Sequence, residues 1–178
     1  ILPFLIAALC IPIWSQTQTV CPFMSEGTPP THNATIPQLT DYNEQLANLN
    51  ISAVFEDIFE LLSTSDDCWP ADSFNGEASY GPLFIRLAWH CSGTFREHDL
   101  RGGCGGGRQR FPPEASWPDN VNLDKARALL VPIKTKYGDA LSWGDLFVFA
   151  GTASIMAMEG PVSEICYGRV DDADGTLS

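Results

Sequence analysis

Arg86, Trp89 and His90 stand at i, i+3 and i+4, the spacing that places three side chains on one face of a helix. Each type suits a different task. A guanidinium keeps its charge at any physiological pH and can hold a developing anion. An imidazole moves protons near neutrality, and an indole covers a flat apolar group. On spacing alone such helical neighbours are more often structural or surface groups than catalytic ones. The wider sequence must therefore decide.

The elements that would carry them are mainly helical. Ile51, Val54, Phe55, Ile58, Phe59 and Leu62 repeat at helical spacing, with Glu56, Asp57 and Glu60 off the stripe, as expected of core packing. Cys68-Trp69-Pro70 and Gly76 end that helix. A second is predicted from Pro82, suited to a first helical position, through Cys91. A glycine-dense loop follows, Arg101 to Arg108. The spacing then predicts a helix over Leu123–Tyr137, with Asn122 as N-cap, Gly138 as stop and Pro132 kinking or dividing it. A last helix starts at Ser142, where Ser142-Trp143-Gly144-Asp145 resembles a capping box, and runs towards Gly160. No alternating run of strand length stands out, and no internal repeat is visible.

The 178 residues carry a formal net charge of -12, and 44% of them are hydrophobic. This suits one domain with a real core and excludes nucleic acid as a partner, since the field repels phosphate backbones. The glycine loop never satisfies G-x-G-x-x-G, because Cys104 and Arg108 occupy needed positions. Arg108 stands where a P-loop needs lysine, so close backbone packing is its expected role. The apolar run Ile1–Leu9 is too short to span a bilayer. With the polar switch at Ser15 it reads as the apolar part of a signal peptide over 1–15, followed by an N-terminal arm over 16–50. Asn33-Ala34-Thr35 and Asn50-Ile51-Ser52 are N-glycosylation acceptor patterns, consistent with secretion. Six cysteines and no C-x-x-C pair disfavour a thiolate zinc site. Loss of Cys10 with the signal leaves five, so one is free or pairs elsewhere.

Longer stretches carry a resemblance. Tyr80 to His90, then Ser92-Gly93-Thr94-Phe95-Arg96, His98 to Gly103, Gly105-Gly106-Gly107, Gln109-Arg110-Phe111 and Ser116 to Asn120 closely resemble the distal side of catalase-peroxidases. So do Leu123 to Arg127, Leu141-Ser142-Trp143, Val148 to Gly151 and Gly168 to Asp171, with Cys21-Pro22-Phe23-Met24 and Trp69 to Asp72 upstream. The resemblance implies an all-α haem peroxidase fold, with 51–178 as its distal subdomain. It implies haem b as cofactor, hydrogen peroxide as oxidant and His90 as general base, then general acid. Arg86 would stabilise the charge that develops as the O–O bond breaks, and Trp89 would lie over the haem. Asn120 resembles the residue that orients the distal histidine, and Asp119 an acidic residue near the peroxide channel; both also suit a Pro-Asp-Asn turn. The electron donor and oligomeric state are not specified.

The resemblance also implies an iron ligand on a later helix. The histidines present are His32, His90 and His98, and none matches that proximal position. The residues in hand are thus expected to be inactive alone. Asp171 to Ser178 departs from catalase-peroxidases and is closer to the shorter connection of cytochrome c and ascorbate peroxidases, which favours peroxidase over catalase activity. Cys91 and Cys104 replace small residues, and Cys21 and Cys68, each beside a family-like motif, are expected to pair in an oxidising compartment. The alternative is a secreted, glycosylated binding protein on a degenerate peroxidase scaffold, without turnover. A downstream proximal histidine would separate the two.

Overall fold

The computed structural model describes residues 39–178; the segment expected to be a signal peptide, Cys21, His32, Asn33 and most of the expected arm lie outside them. Among the described residues five α-helices are joined by loops, short 3-10 turns and one small hairpin. They are α1 (Leu39–Ala47), α2 (Ile51–Leu62), α3 (Gly81–Ser92), α4 (Leu123–Tyr137) and α5 (Trp143–Ala157).

α5 is the axis of the core. It buries Leu146, Phe147, Phe149, Ala150, Gly151 and Ala153 on several faces, as a helix enclosed by its neighbours must. α3 packs on it most extensively. A side chain at Gly151 would collide with Ala88, so this glycine sets how closely the helix bearing Arg86 and His90 can lie. α2 adds Val54, Phe55, Ile58 and Leu62. Phe55 meets Phe149 at 5.2 Å between ring centroids, and Phe149 meets Tyr167 at 5.9 Å.

The caps explain the boundaries. Asn50 accepts the Ala53 N–H at 3.2 Å at the start of α2. Ser142 accepts the Asp145 N–H at 3.0 Å at the start of α5. The reciprocal half of the expected capping box is absent. The Asp145 carboxylate instead accepts from the Tyr42 hydroxyl (2.8 Å), the Gly168 N–H (2.8 Å) and Arg169 (2.8 Å), while the Ser142 N–H donates to Tyr42 Oη. Tyr42 lies on α1, a helix within the expected arm.

Three further differences stand out. Of the two outcomes expected at Pro132, a kink or a division, the division does not occur: proline lacks an N–H to donate, but Leu129, Leu130 and Ile133 are buried on both sides of it and hold the helix together. Asn122 precedes α4 in a left-handed conformation (φ 67°) and makes no side-chain cap. Strands Asp72–Phe74 (β1) and Glu77–Ser79 (β2) form an antiparallel hairpin in the register Asp72↔Ser79. Their turn is Asn75-Gly76, both at positive φ, the dipeptide that tight hairpins select.

Cysteine pairing also differs. Cys68 is an exposed free thiol, so the expected Cys21–Cys68 bond is not formed. Its turn is held another way: Asp66 accepts the Cys68 and Trp69 N–H groups, and the Tyr80 hydroxyl bridges Asp66 N–H and Trp69 C=O. Cys91 on α3 is instead bonded to Cys104 in the glycine loop, and Cys166 is also held in a disulfide.

Candidate active site

α3 presents two kinds of residue. Phe84, Leu87 and Cys91 point into the core, which fixes the helix's rotation. Arg86, Trp89 and His90 are thereby turned to the other side. Trp89 is 69% exposed, unusual for an indole next to a buried face.

One short turn, Pro118–Asn120 and the following Val121, receives both polar side chains. The Arg86 guanidinium donates to the carbonyls of Asp119 (2.6 Å) and Val121 (2.9 Å). His90 Nδ1 lies 3.0 Å from Asn120 Oδ1. The turn therefore alternates: a carbonyl for arginine, a side chain for histidine, a carbonyl for arginine again. The Asp119 carboxylate is exposed, and it is the residue's carbonyl that meets the site.

The hydrogen bonds of Asn120 determine the histidine tautomer. Asn120 is buried, and its Nδ2 donates to the Glu114 carbonyl at 2.7 Å. That carbonyl can only accept, so the NH2 end of the amide must face it and Oδ1 must face His90. An amide oxygen cannot donate; Nδ1 thus carries the hydrogen, and Nε2 keeps its lone pair. His90 is left with a proton acceptor on the nitrogen away from the turn. Arg86 uses two of its five N–H groups on the turn, leaving three for an anion.

Glu114 and Arg108 are participants that sequence reading missed. The Glu114 side chain is 1% exposed and lies 3.7 Å from Arg108 Nε. Arg108 also pairs with Asp172 at 2.6 Å and donates to the Gly102 carbonyl. Gln109 Nε2 reaches the Leu87 carbonyl on α3. The glycine loop is thus fastened to the site helix by Gln109 and by the Cys91–Cys104 bond. Its glycines serve backbone approach, as expected: at Gly106 a side chain would collide with Asp172. His98 is not part of the site; it is exposed beside Asp99 at 3.5 Å.

The peroxidase family model matches residues 69–177, a span that includes every residue of this arrangement. The chain belongs to the peroxidase family. Among characterised members it is similar to the catalase-peroxidase of Halobacterium salinarum, with 54% identity over 132 residues, 74% of this chain and 18% of that one. The Shewanella woodyi catalase-peroxidase is 52% identical over 77% of this chain and 18% of its own. That of Escherichia coli is 50% identical over the same shares. The chain spans about 18% of the length of these relatives. The helical architecture is that of an all-α peroxidase fold, and no described helix is long and apolar enough to cross a membrane.

The family implies a haem, and the site residues fit one face of it. An exposed indole beside a guanidinium with unused N–H groups and an imidazole with a free Nε2 suits a flat, largely apolar macrocycle that binds a small polar oxidant. Val121 and Trp117, at either end of the turn, are exposed too and extend the apolar character of that face. Among the described residues no three of His, Cys, Asp and Glu gather into a metal site.

Proposed function

We propose that the chain forms the distal face of a peroxidase site that reduces hydrogen peroxide at haem b. When bound, haem supplies the redox-active iron. His90 does the proton work: Nε2 accepts a proton from one peroxide oxygen and returns it to the other, which leaves as water. The Asn120 amide, held by the Glu114 carbonyl, selects the tautomer with its hydrogen on Nδ1 and leaves the Nε2 lone pair aimed away from the turn. The free N–H groups of Arg86 stabilise the departing oxygen as it gains charge. Trp89 covers the haem face, and the exposed Asp119 carboxylate lies at the approach to it. The observation that carries this reading is the His90–Asn120–Glu114 chain of hydrogen bonds. A non-catalytic binding scaffold has no need to select one tautomer.

The buried Cys91–Cys104 bond and the disulfide at Cys166 support folding in an oxidising compartment, so we place the protein in the secretory pathway or outside the cell, with a role in handling peroxide stress. The test is stopped-flow reaction of the full-length, haem-loaded protein with peroxide. His90→Ala should slow the first step at least ~100-fold, and Arg86→Leu should slow it as well. An unchanged rate in the His90 variant overturns the mechanism.

A further inference from the structure

Asn50-Ile51-Ser52 has the acceptor pattern of an N-linked glycan, but asparagine at a helix start is usually explained by capping alone. The structure separates the two roles by atom. Asn50 is exposed and its Oδ1 accepts the Ala53 N–H. Nδ2 donates to no group among the described residues. Two other asparagines use that nitrogen: Asn48 Nδ2 donates to the Glu44 carbonyl, and the buried Asn120 Nδ2 to the Glu114 carbonyl. Neither of these lies in an acceptor tripeptide.

We propose that Asn50 carries an N-linked oligosaccharide. The proposal rests on the secretory reading above. The donor would be a lipid-pyrophosphate-activated oligosaccharide. Asn50 Nδ2 attacks its anomeric carbon, a C–N bond forms, the sugar–oxygen bond to pyrophosphate breaks, and Nδ2 gives up one proton as the lipid pyrophosphate leaves. The product is still an amide whose Oδ1 keeps its lone pairs, so the cap of α2 survives attachment. The residue before α2's buried stripe of Val54, Phe55, Ile58 and Leu62 points to solvent, and a bulky polar chain there displaces nothing from the core.

Ser52→Ala is the informative variant: it destroys the acceptor tripeptide and leaves the Asn50 cap intact. The full chain would be translated with microsomes behind a known cleavable leader, and the full-length precursor separately expressed in a secreting eukaryotic host. Thr35→Ala, which removes the other tripeptide, isolates the contribution of Asn33. The expected result is an amidase-sensitive mass increment at Asn50 in the parent and in Thr35→Ala, lost in Ser52→Ala. The thermal midpoint of Ser52→Ala should match that of enzymatically deglycosylated parent. An unmodified Asn50 peptide from translocated protein overturns the proposal while leaving secretion standing. Retention of the full-length precursor in the cytosol overturns the secretory reading, and with it the glycan as a natural modification.

Discussion

The helical core and the loop shell of this molecule are held together by different physics. α2, α3 and α5 meet through Phe55, Phe84, Leu87, Phe147 and Phe149, all buried, and their cohesion scales with apolar area removed from water. The shell, from the glycine loop to the 118–121 turn and the segment after Tyr167, is tied by directed polar bonds. Arg108 donates to the Gly102 carbonyl and to Asp172, and faces Glu114 as an ion pair at 3.7 Å. Asp171 accepts the Trp143 and Gly144 N–H groups at the start of α5. Burial pushes the Asp171 carboxyl up from its usual range, against the pull of those N–H groups and of Arg110. The site lies on the seam. α3 brings Arg86 and His90 from the core, and the turn that orients them belongs to the shell. An apolar core fixes where a helix lies, but only directed bonds select a tautomer.

The contrast breaks first at Phe84 and Arg108. Phe84→Ala should destabilise the protein by about 3–5 kcal/mol, the usual cost of emptying an aromatic core position. Arg108→Met should cost a similar ~3–5 kcal/mol for a different reason, because buried Glu114 and half-buried Asp172 lose their counter-charge. The second substitution separates the mechanisms. Adding Glu114→Leu to Arg108→Met should recover a good part of the loss, whereas no removal of charge can repair the cavity at Phe84. Chemical unfolding of the four proteins measures this. If Arg108→Met alone costs under about 1 kcal/mol, the shell is not organised by its buried charges.

The disulfide tests the seam itself. Cys91 and Cys104 are separated by 13 residues, and closing a loop of that size removes unfolded-state entropy worth about 3 kcal/mol. The paired variant Cys91→Ala/Cys104→Ala should lower stability by about that amount. The local effect sharpens the comparison. Amide exchange should rise over the glycine loop, which loses its covalent tie to α3, more than over α5, which is packed by the core. Equal protection in both regions would mean that Gln109 and Arg108 hold the loop without help.

The helices were legible in the sequence because burial writes a period of 3.6 residues into them. The stripe from Ile51 to Leu62, Pro82 at its first turn and Ser142 as a cap all lie where expected. α1 was not, since its nine residues include few apolar ones, Tyr42 and Leu46 being buried, in a stretch otherwise polar. The hairpin left one readable mark, Asn75-Gly76, and its three-residue strands are too short for alternation to register. At the site, the residue types Arg86, Trp89, His90, Asn120 and Asp119 could be picked out, together with their gathering on one side. The partners could not. Arg86 is held by two backbone carbonyls and Asn120 by a third, and a carbonyl has no sequence signature. Nor does spacing specify which cysteines meet, which is why Cys68, expected in a bond, is free, while the Cys91–Cys104 bond went unforeseen.

Asp57 gives the smallest effect, and the one that separates surface charges from buried ones. Its carboxylate accepts from Lys136 at 2.7 and 2.8 Å and from the Tyr137 hydroxyl at 2.6 Å, linking α2 to the end of α4. Partial burial would raise its pKa, but the hydrogen bonds from Lys136 and Tyr137 outweigh that and hold it below the usual 3.8. A carboxyl depressed in the folded state binds fewer protons there than when unfolded. Its contribution is therefore complete above 3.8 and drains away as the pH falls through the lower, folded value. Lys136 is well exposed, so water and salt screen the pair, and Asp57→Asn should cost only a fraction of what the disulfide contributes. Two readouts identify the effect. The difference between Asp57→Asn and the parent should shrink with added salt, and it should vanish in unfolding measured at a pH below the folded pKa of Asp57. The cost of Arg108→Met should barely respond to salt, since Arg108 and Glu114 are enclosed. If instead both substitutions respond alike to salt, the distinction between an enclosed shell network and an exposed surface pair fails.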